Sequence, residues 1–353
     1  MSERAHRPLP APPDRHLPPH RTVEGRAEAR HSKPQARVFE IQPSLPLDPA
    51  ASRRRPVECL PRSLLNRLIA DAAGESYDAV SILGGELALG AGLADALTLA
   101  KEFGLATALT TDLVPLSRRR LDRLASVLDA MAVTLYGAPQ SHDRIRAKAG
   151  AFRAMAARLP ALRAAGIPFG FTFSLTDANL GELPWVTRFA LEEGAKLLQI
   201  APAGRGCGCG EIAVTTAWLA FLRLRERVGD RMSIGLDLVR GDRSHSDPRR
   251  DGAAPMDHSA DHSAAHLADL VGTLVVEADG SVVPLRRGFP RRYALGNLRF
   301  ARLPVLASRW RSNGGYARFY DYSKEILRAA ASPAGFNWFQ AVAGPPAPPT
   351  RTL

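Results

Sequence analysis

Ile167-Pro168-Phe169-Gly170-Phe171-Thr172-Phe173 is an apolar run that gives way to a helix-like segment over 182–193, stops at Gly194, and resumes as Lys196-Leu197-Leu198-Gln199-Ile200. Strand, helix and strand at this spacing form one βαβ unit, which requires parallel pairing. Glycine accepts a left-handed backbone without a Cβ clash, so Gly194 marks the helix stop. Gly104 and Gly166 stand at the same junction further upstream.

Working outward, the same alternation covers most of the chain. Val38-Phe39-Glu40-Ile41 precedes a helical stretch over 63–69, then come strands at 79–83, 106–111 and 131–135, with helices over 91–103 and 117–127 between them. One long helix is expected near 144–165, and Met232-Ser233-Ile234-Gly235-Leu236 adds a seventh strand. The apolar runs read as continuous, which predicts strands covered on both faces. The class is α/β, a barrel or partial barrel, and its chemistry is expected at the strand C-terminal ends. Further on, residues 273–277 and 281–285 flank Asp279-Gly280 as a hairpin, and 315–332 predicts a helix.

Composition narrows the function classes. The chain has 353 residues, 45% of them hydrophobic, which is enough for a large core. Its net charge is +12, but only five of the 47 basic residues are lysine, at 33, 101, 148, 196 and 324. That skew reads as coding bias. The clusters Arg53-Arg54-Arg55 and Arg118-Arg119-Arg120 are dispersed and lack interleaved aromatic residues, so no nucleic-acid partner is expected. No apolar run reaches the roughly 18 residues of a membrane span, so no membrane partner is expected either. The first thirty residues lack a secretory apolar segment, and three cysteines make no disulfide framework, which together predict a cytoplasmic protein.

The strand ends carry the informative residues. The second strand runs into Gly84-Gly85-Glu86, the third into Thr110-Thr111-Asp112-Leu113, and the fourth into Thr134-Leu135-Tyr136-Gly137, followed by His142-Asp143. Thr176-Asp177-Ala178-Asn179-Leu180-Gly181-Glu182-Leu183 follows the fifth, and Asp279-Gly280, Pro284-Leu285 and Gly296-Asn297 come later in that order. His142-Asp143 reads as a helix-start pair with Asp143 capping the following helix, and Trp185 with Phe189 as core anchors.

In their order these motifs resemble the radical S-adenosylmethionine (AdoMet) superfamily, specifically its peptide- and cofactor-maturing branch with a SPASM-type C-terminal region. That branch has Gly-Gly-Glu-Pro, Thr-Thr-Asn-Gly and Ser-x-Asp-Gly at the corresponding strand ends. The resemblance implies a partial (β/α)6 TIM-type barrel over 37–240, a polar linker over 241–268 and a small SPASM-like remnant over 269–310. A C-terminal helix over 311–340 and disordered tails at 1–36 and 341–353 complete the expected organisation. The resemblance further implies AdoMet as a cofactor, bound by Gly84, Gly85, Glu86, Thr111 and Thr134.

One defining element departs from the family. The family's Cys-x3-Cys-x2-Cys, whose thiolates hold three irons of a [4Fe-4S] cluster, corresponds here to Ile41-Gln42-Pro43-Ser44-Leu45-Pro46-Leu47-Asp48-Pro49. These side chains cannot replace three thiolates. The Pro-Cys of the C-terminal module is likewise Pro284-Leu285. Weak alternative metal donors are Cys59, Cys207 and Cys209, and the four-residue series His258, His262, His266. The expectation is a pseudoenzyme that has lost cluster-dependent AdoMet cleavage and serves as a binding or scaffold partner in peptide or cofactor maturation. Its partners would be a peptide substrate or an intact radical AdoMet paralogue. The alternative is an active AdoMet-dependent maturase or oxidoreductase with an unconventional cluster, or none.

Overall fold

A computed structural model of the chain describes residues 37–42, 60–84, 92–203, 212–237, 266–286 and 289–329. The expected tails, most of the linker and the stretch 43–59 lie outside them. Seven parallel strands form the body: β1 (Val38–Ile41), β2 (Ala79–Leu83), β3 (Ala106–Thr111), β4 (Ala130–Leu135), β5 (Phe169–Leu175), β6 (Leu197–Pro202) and β7 (Ser233–Leu236). The helices between them are α1 (Arg62–Gly74), α2 (Gly92–Glu102), α3 (Arg118–Leu124), α4 (Pro139–Ile145), α5 (Ala151–Ala156), α6 (Leu159–Ala164), α7 (Leu183–Glu192) and α8 (Val214–Val228). Gly104, Gly166 and Gly194 all adopt φ between 70° and 76°, the left-handed stops read from the sequence.

The C-terminal chain returns to the same sheet. After α9 (Leu267–Leu270), strand β8 (Thr273–Val276) pairs parallel to β1, and β9 (Ser281–Pro284) folds back antiparallel as the expected hairpin. The two-residue β10 (Gly296–Asn297) closes the order β10-β9-β8-β1-β2-β3-β4-β5-β6-β7. The helices α10 (Leu303–Ser312) and α11 (Gly315–Ala329) follow. The barrel is partial and open, with β7 and β10 as its edges. β8 covers the outer side of β1, and the expected seventh strand covers that of β6. The uncovered side of β1 would leave backbone groups unpaired. Instead, Val38 N–H donates to Gly272 O and Gln42 N–H to Val276 O, each at 2.8 Å.

The expected single helix over 144–165 is three short ones. Ala147 and Gly150 take φ of 48° and 75° between α4 and α5, so the helical ladder cannot continue through them. Asp143 restarts it, accepting N–H from Gly150 at 2.6 Å and Phe152 at 2.7 Å. The capping role read from the sequence holds, reached across a loop rather than at the start of its own helix.

Most strand residues are buried on both faces, as the continuous runs predict, but the two faces differ in side-chain type. Phe39, Val80, Ile82, Leu109, Val133, Phe171, Phe173, Leu198 and Ile200 are at most 1% exposed and face the helices. There Trp185 and Phe189 stack at 5.2 Å, and Phe189 meets Phe171 at 5.4 Å, the core anchoring expected of them. Each large side chain so buried contributes about 2–3 kcal/mol. The alternate residues form the opposite face, and apart from Val38, Leu83 and Leu197 they are small or polar, among them Ser81, Ala108, Thr110, Ala132, Thr134, Gly170, Thr172, Ser174, Gln199 and Gly235. Register aligns Thr134 with Thr172, Thr172 with Gln199, and Gln199 with Gly235 across four adjacent strands. Among the described residues no helix is long and apolar enough to cross a membrane.

Candidate functional site

The C-terminal ends of β4 and β5 are locked together by one segment. Asn179, fully buried, accepts Thr176 N–H at 2.7 Å and donates through Nδ2 to Ser174 O at 2.9 Å and Tyr136 O at 3.0 Å. Glu182 accepts Ala138 N–H at 2.6 Å and the Ser141 hydroxyl. Between those two anchors lies Gly137 at φ 141°, where a Cβ would collide with the Glu182 carboxylate and sit 2.9 Å from Ser141 Cβ. Glycine is therefore required by the close approach as well as by the backbone. The Asn and Glu of the sequence motif after β5 are thus clamps on the loop after β4.

His142 supports the same loop from below. It is 2% exposed, its Nδ1 accepts Tyr136 N–H at 3.4 Å, and its ring lies edge-on to Tyr136 and Phe152. Burial, reinforced by the Arg146 guanidinium and opposed by Asp143 and Asp112, pushes its pKa down to about 4, so the imidazole is neutral at pH 7. Arg146 pairs with Asp112 at 2.6 Å and so ties the end of β3 to α4.

On the small-residue face, the hydroxyls of Thr110, Thr134, Thr172 and Ser174 have no hydrogen-bond partner among the described residues. Ser81 is 3% exposed and its Oγ is likewise unpaired. Buried polar groups are nearly always satisfied. A face of open hydroxyls is suited to a polar ligand that both donates and accepts. Of these residues only Thr134 was expected from the sequence as a ligand contact, with Thr110 part of a strand-end motif. The missed signal was the two-residue alternation in Phe169-Gly170-Phe171-Thr172-Phe173-Ser174-Leu175, large against small at every step.

The other expected site residues are placed as follows. Gly84 sits at φ 67° with its N–H on Thr110 O at 2.7 Å, which brings the end of β2 beside β3. Thr111 lies on the helix-facing side, 2% exposed, and its Oγ1 accepts Leu113 N–H at 2.8 Å. Gly85, Glu86, Cys59, Cys207, Cys209, His258 and His262 lie outside the described residues, and His266 is exposed before α9. In the C-terminal strands, Asp279-Gly280 and Gly296-Asn297 meet in one turn, where Asn297 Nδ2 donates to Asp279 O at 2.9 Å. Leu285 is 2% exposed at φ 65°.

The described residues offer no set of thiolate donors for a [4Fe-4S] cluster. The segment aligned with the family's cysteine motif holds no thiol, and among the described residues no group of three or more His, Cys, Asp or Glu could hold a metal. The hydroxyl face, with its unpaired Ser81 Oγ, offers groups that both donate and accept hydrogen bonds.

No protein-family model matches the chain. Over 137 residues it is 33% identical to a PqqA peptide cyclase from Ruegeria pomeroyi, a match that spans 38% of this chain and 37% of the cyclase. Streptococcus suis SuiB, solved bound to S-adenosylmethionine, superposes with a TM-score of 0.60 at 13% identity over 81% of this chain and 68% of SuiB. anSMEcpe, solved with AdoMet and the Kp18Cys peptide, superposes with a TM-score of 0.56 at 14% identity over 87% of this chain and 88% of that one. In fold, the chain is similar to SuiB and anSMEcpe.

Proposed function

We propose that this protein is a radical-AdoMet-type scaffold that has lost cluster-dependent AdoMet cleavage and acts as a binding partner in a peptide- or cofactor-maturation pathway. It holds AdoMet intact at the ends of β2 to β5, through Gly84, Gly85, Glu86 and Thr134, with Thr111 fixing the turn after β3. Bound there, AdoMet supplies a polar, sulfonium-bearing ligand. Its protein partner is a peptide or an intact radical AdoMet paralogue. One contrast carries this reading: the clamp of Asn179 and Glu182 and the open hydroxyl face are built, while the three-thiolate motif is absent from the sequence after β1. The AdoMet- and peptide-bound relatives support the choice of ligand and partner.

Anaerobic reconstitution with iron and sulfide, followed by electron paramagnetic resonance, tests the loss. The expected result is no brown chromophore and no cluster signal, with calorimetric AdoMet binding that weakens in Glu86→Ala. A stoichiometric cluster that disappears when Cys59, Cys207 and Cys209 are changed to Ala would overturn the reading in favour of an active enzyme.

A further inference from the structure

The charge of the C-terminal chain is one-sided. From Ser281 to Tyr320 it holds nine arginines and no lysine, aspartate or glutamate. Coding bias exchanges lysine for arginine, but it does not remove acids. Some of these guanidinium groups are neutralised across the fold: Arg291 pairs with Glu277 and Asp279, and Arg302 with buried Asp71. Arg299 and Arg309 are exposed and make no ion pair among the described residues. Apolar side chains stand out beside them: Phe300 is 88% exposed just before α10, and Val305 is 42% exposed in its first turn. Leu298 and Leu303 on either side of Phe300 are buried, so the turn is anchored at both ends and carries the ring outward. Val305 and Arg309, four apart on α10, share the face opposite buried Leu306, Ala307 and Trp310. Exposed apolar residues scattered singly need no explanation, but an aromatic ring with an aliphatic neighbour and open arginines has the composition of an interface centre.

We propose that Arg299, Phe300, Val305 and Arg309 form a docking surface for an acidic protein segment bearing large apolar side chains. The arginines attract and orient the acidic residues, and Phe300 packs among the apolar ones as water is expelled. A nucleic acid would meet the same charge. However, stacking of successive bases needs a row of exposed rings, and Tyr293, Trp310, Tyr316 and Tyr320 are all buried. The surface follows edge strand β10, six strands from β4 in the sheet order, so its test does not depend on AdoMet.

The probe is a fluorescein-labelled synthetic peptide with leucine and phenylalanine set among glutamates, titrated with the full chain and read by fluorescence anisotropy. Binding is expected, and it should weaken as salt is raised. Phe300→Ala is expected to weaken it about 10-fold and Arg309→Gln about 3-fold. Both side chains are exposed, so the melting temperature should not move. An equally acidic peptide with serine in place of leucine and phenylalanine should bind more weakly than the first. No binding of the first peptide would overturn the proposal. So would equal binding of both peptides with no effect of Phe300→Ala, which is bare charge attraction. A labelled oligothymidylate that binds more tightly and displaces the peptide would make the surface a nucleic-acid site instead. A dimer of the free chain that Phe300→Ala dissolves, seen by size-exclusion chromatography, would assign the surface to a second copy and likewise overturn the proposal.

Discussion

The turn after β4 and the turn between β8 and β9 are both pinned by an asparagine amide, Asn179 in the first and Asn297 in the second. Around Asn297 the bonds are internal to the turn. Asp279 Oδ1 accepts Ser281 N–H at 2.9 Å, Asn297 Oδ1 accepts Arg299 N–H at 2.9 Å, and Arg291 bridges Asp279 and Glu277. Leu285, at the position of the family's cysteine, is buried. Around Asn179 the bonds join two strand ends, and the nearby Thr134 and Ser174 hydroxyls have no partner among the described residues. One turn satisfies itself, and the other holds groups ready for something else. The difference separates a scaffold that supports its own fold from one that presents a surface.

The largest test of this contrast is Asn179→Ala. It strands three backbone groups in a fully buried place, which predicts a loss of about 3–4 kcal/mol in urea unfolding together with weaker AdoMet binding. Next comes pH. The His142 imidazole titrates near 6.5 when unfolded and about 4 when folded. The unfolded chain therefore binds more protons between those values, and stability falls as pH drops through that window, by about 3 kcal/mol in all. Unfolding midpoints at pH 7, 5.5 and 4.5 check this; a flat profile would break the link between His142 burial and the β4 loop.

Asn297→Ala is expected to cost about 1–2 kcal/mol because its partners are half-exposed. Calorimetry should find AdoMet affinity unchanged, and a loss comparable to that of Asn179→Ala would erase the contrast between the two turns. The smallest effect is expected from Arg146→Gln. Its ion pair with Asp112 is worth less than about 1 kcal/mol at this exposure. Removing the guanidinium also lets the His142 pKa rise, which NMR titration of the imidazole would detect directly and unfolding at several pH values would show as a shallower acid dependence of stability.

Much of the fold was legible locally. Glycines 104, 166 and 194 stop helices through their own backbone freedom, and that requires no partner elsewhere. Gly150 was an equally visible break in the expected long helix, but Ala147 at φ 48° carries no such mark. The order of strand-end motifs pointed to the right fold, and the alternation in β5 would have divided its two faces had it been counted residue by residue. The clamp was not legible. Asn179 and Tyr136 are 43 residues apart, and nothing in either segment names the other.

The sequence by itself determined the βαβ alternation, the helix stops and the absence of the three-thiolate motif, because each depends on residue type and short-range spacing. Tertiary structure decided which face is open, how β8 completes the edge of β1, and how Tyr136 is held. Those outcomes depend on hydrogen bonds and burial between strands that become neighbours only when the sheet forms.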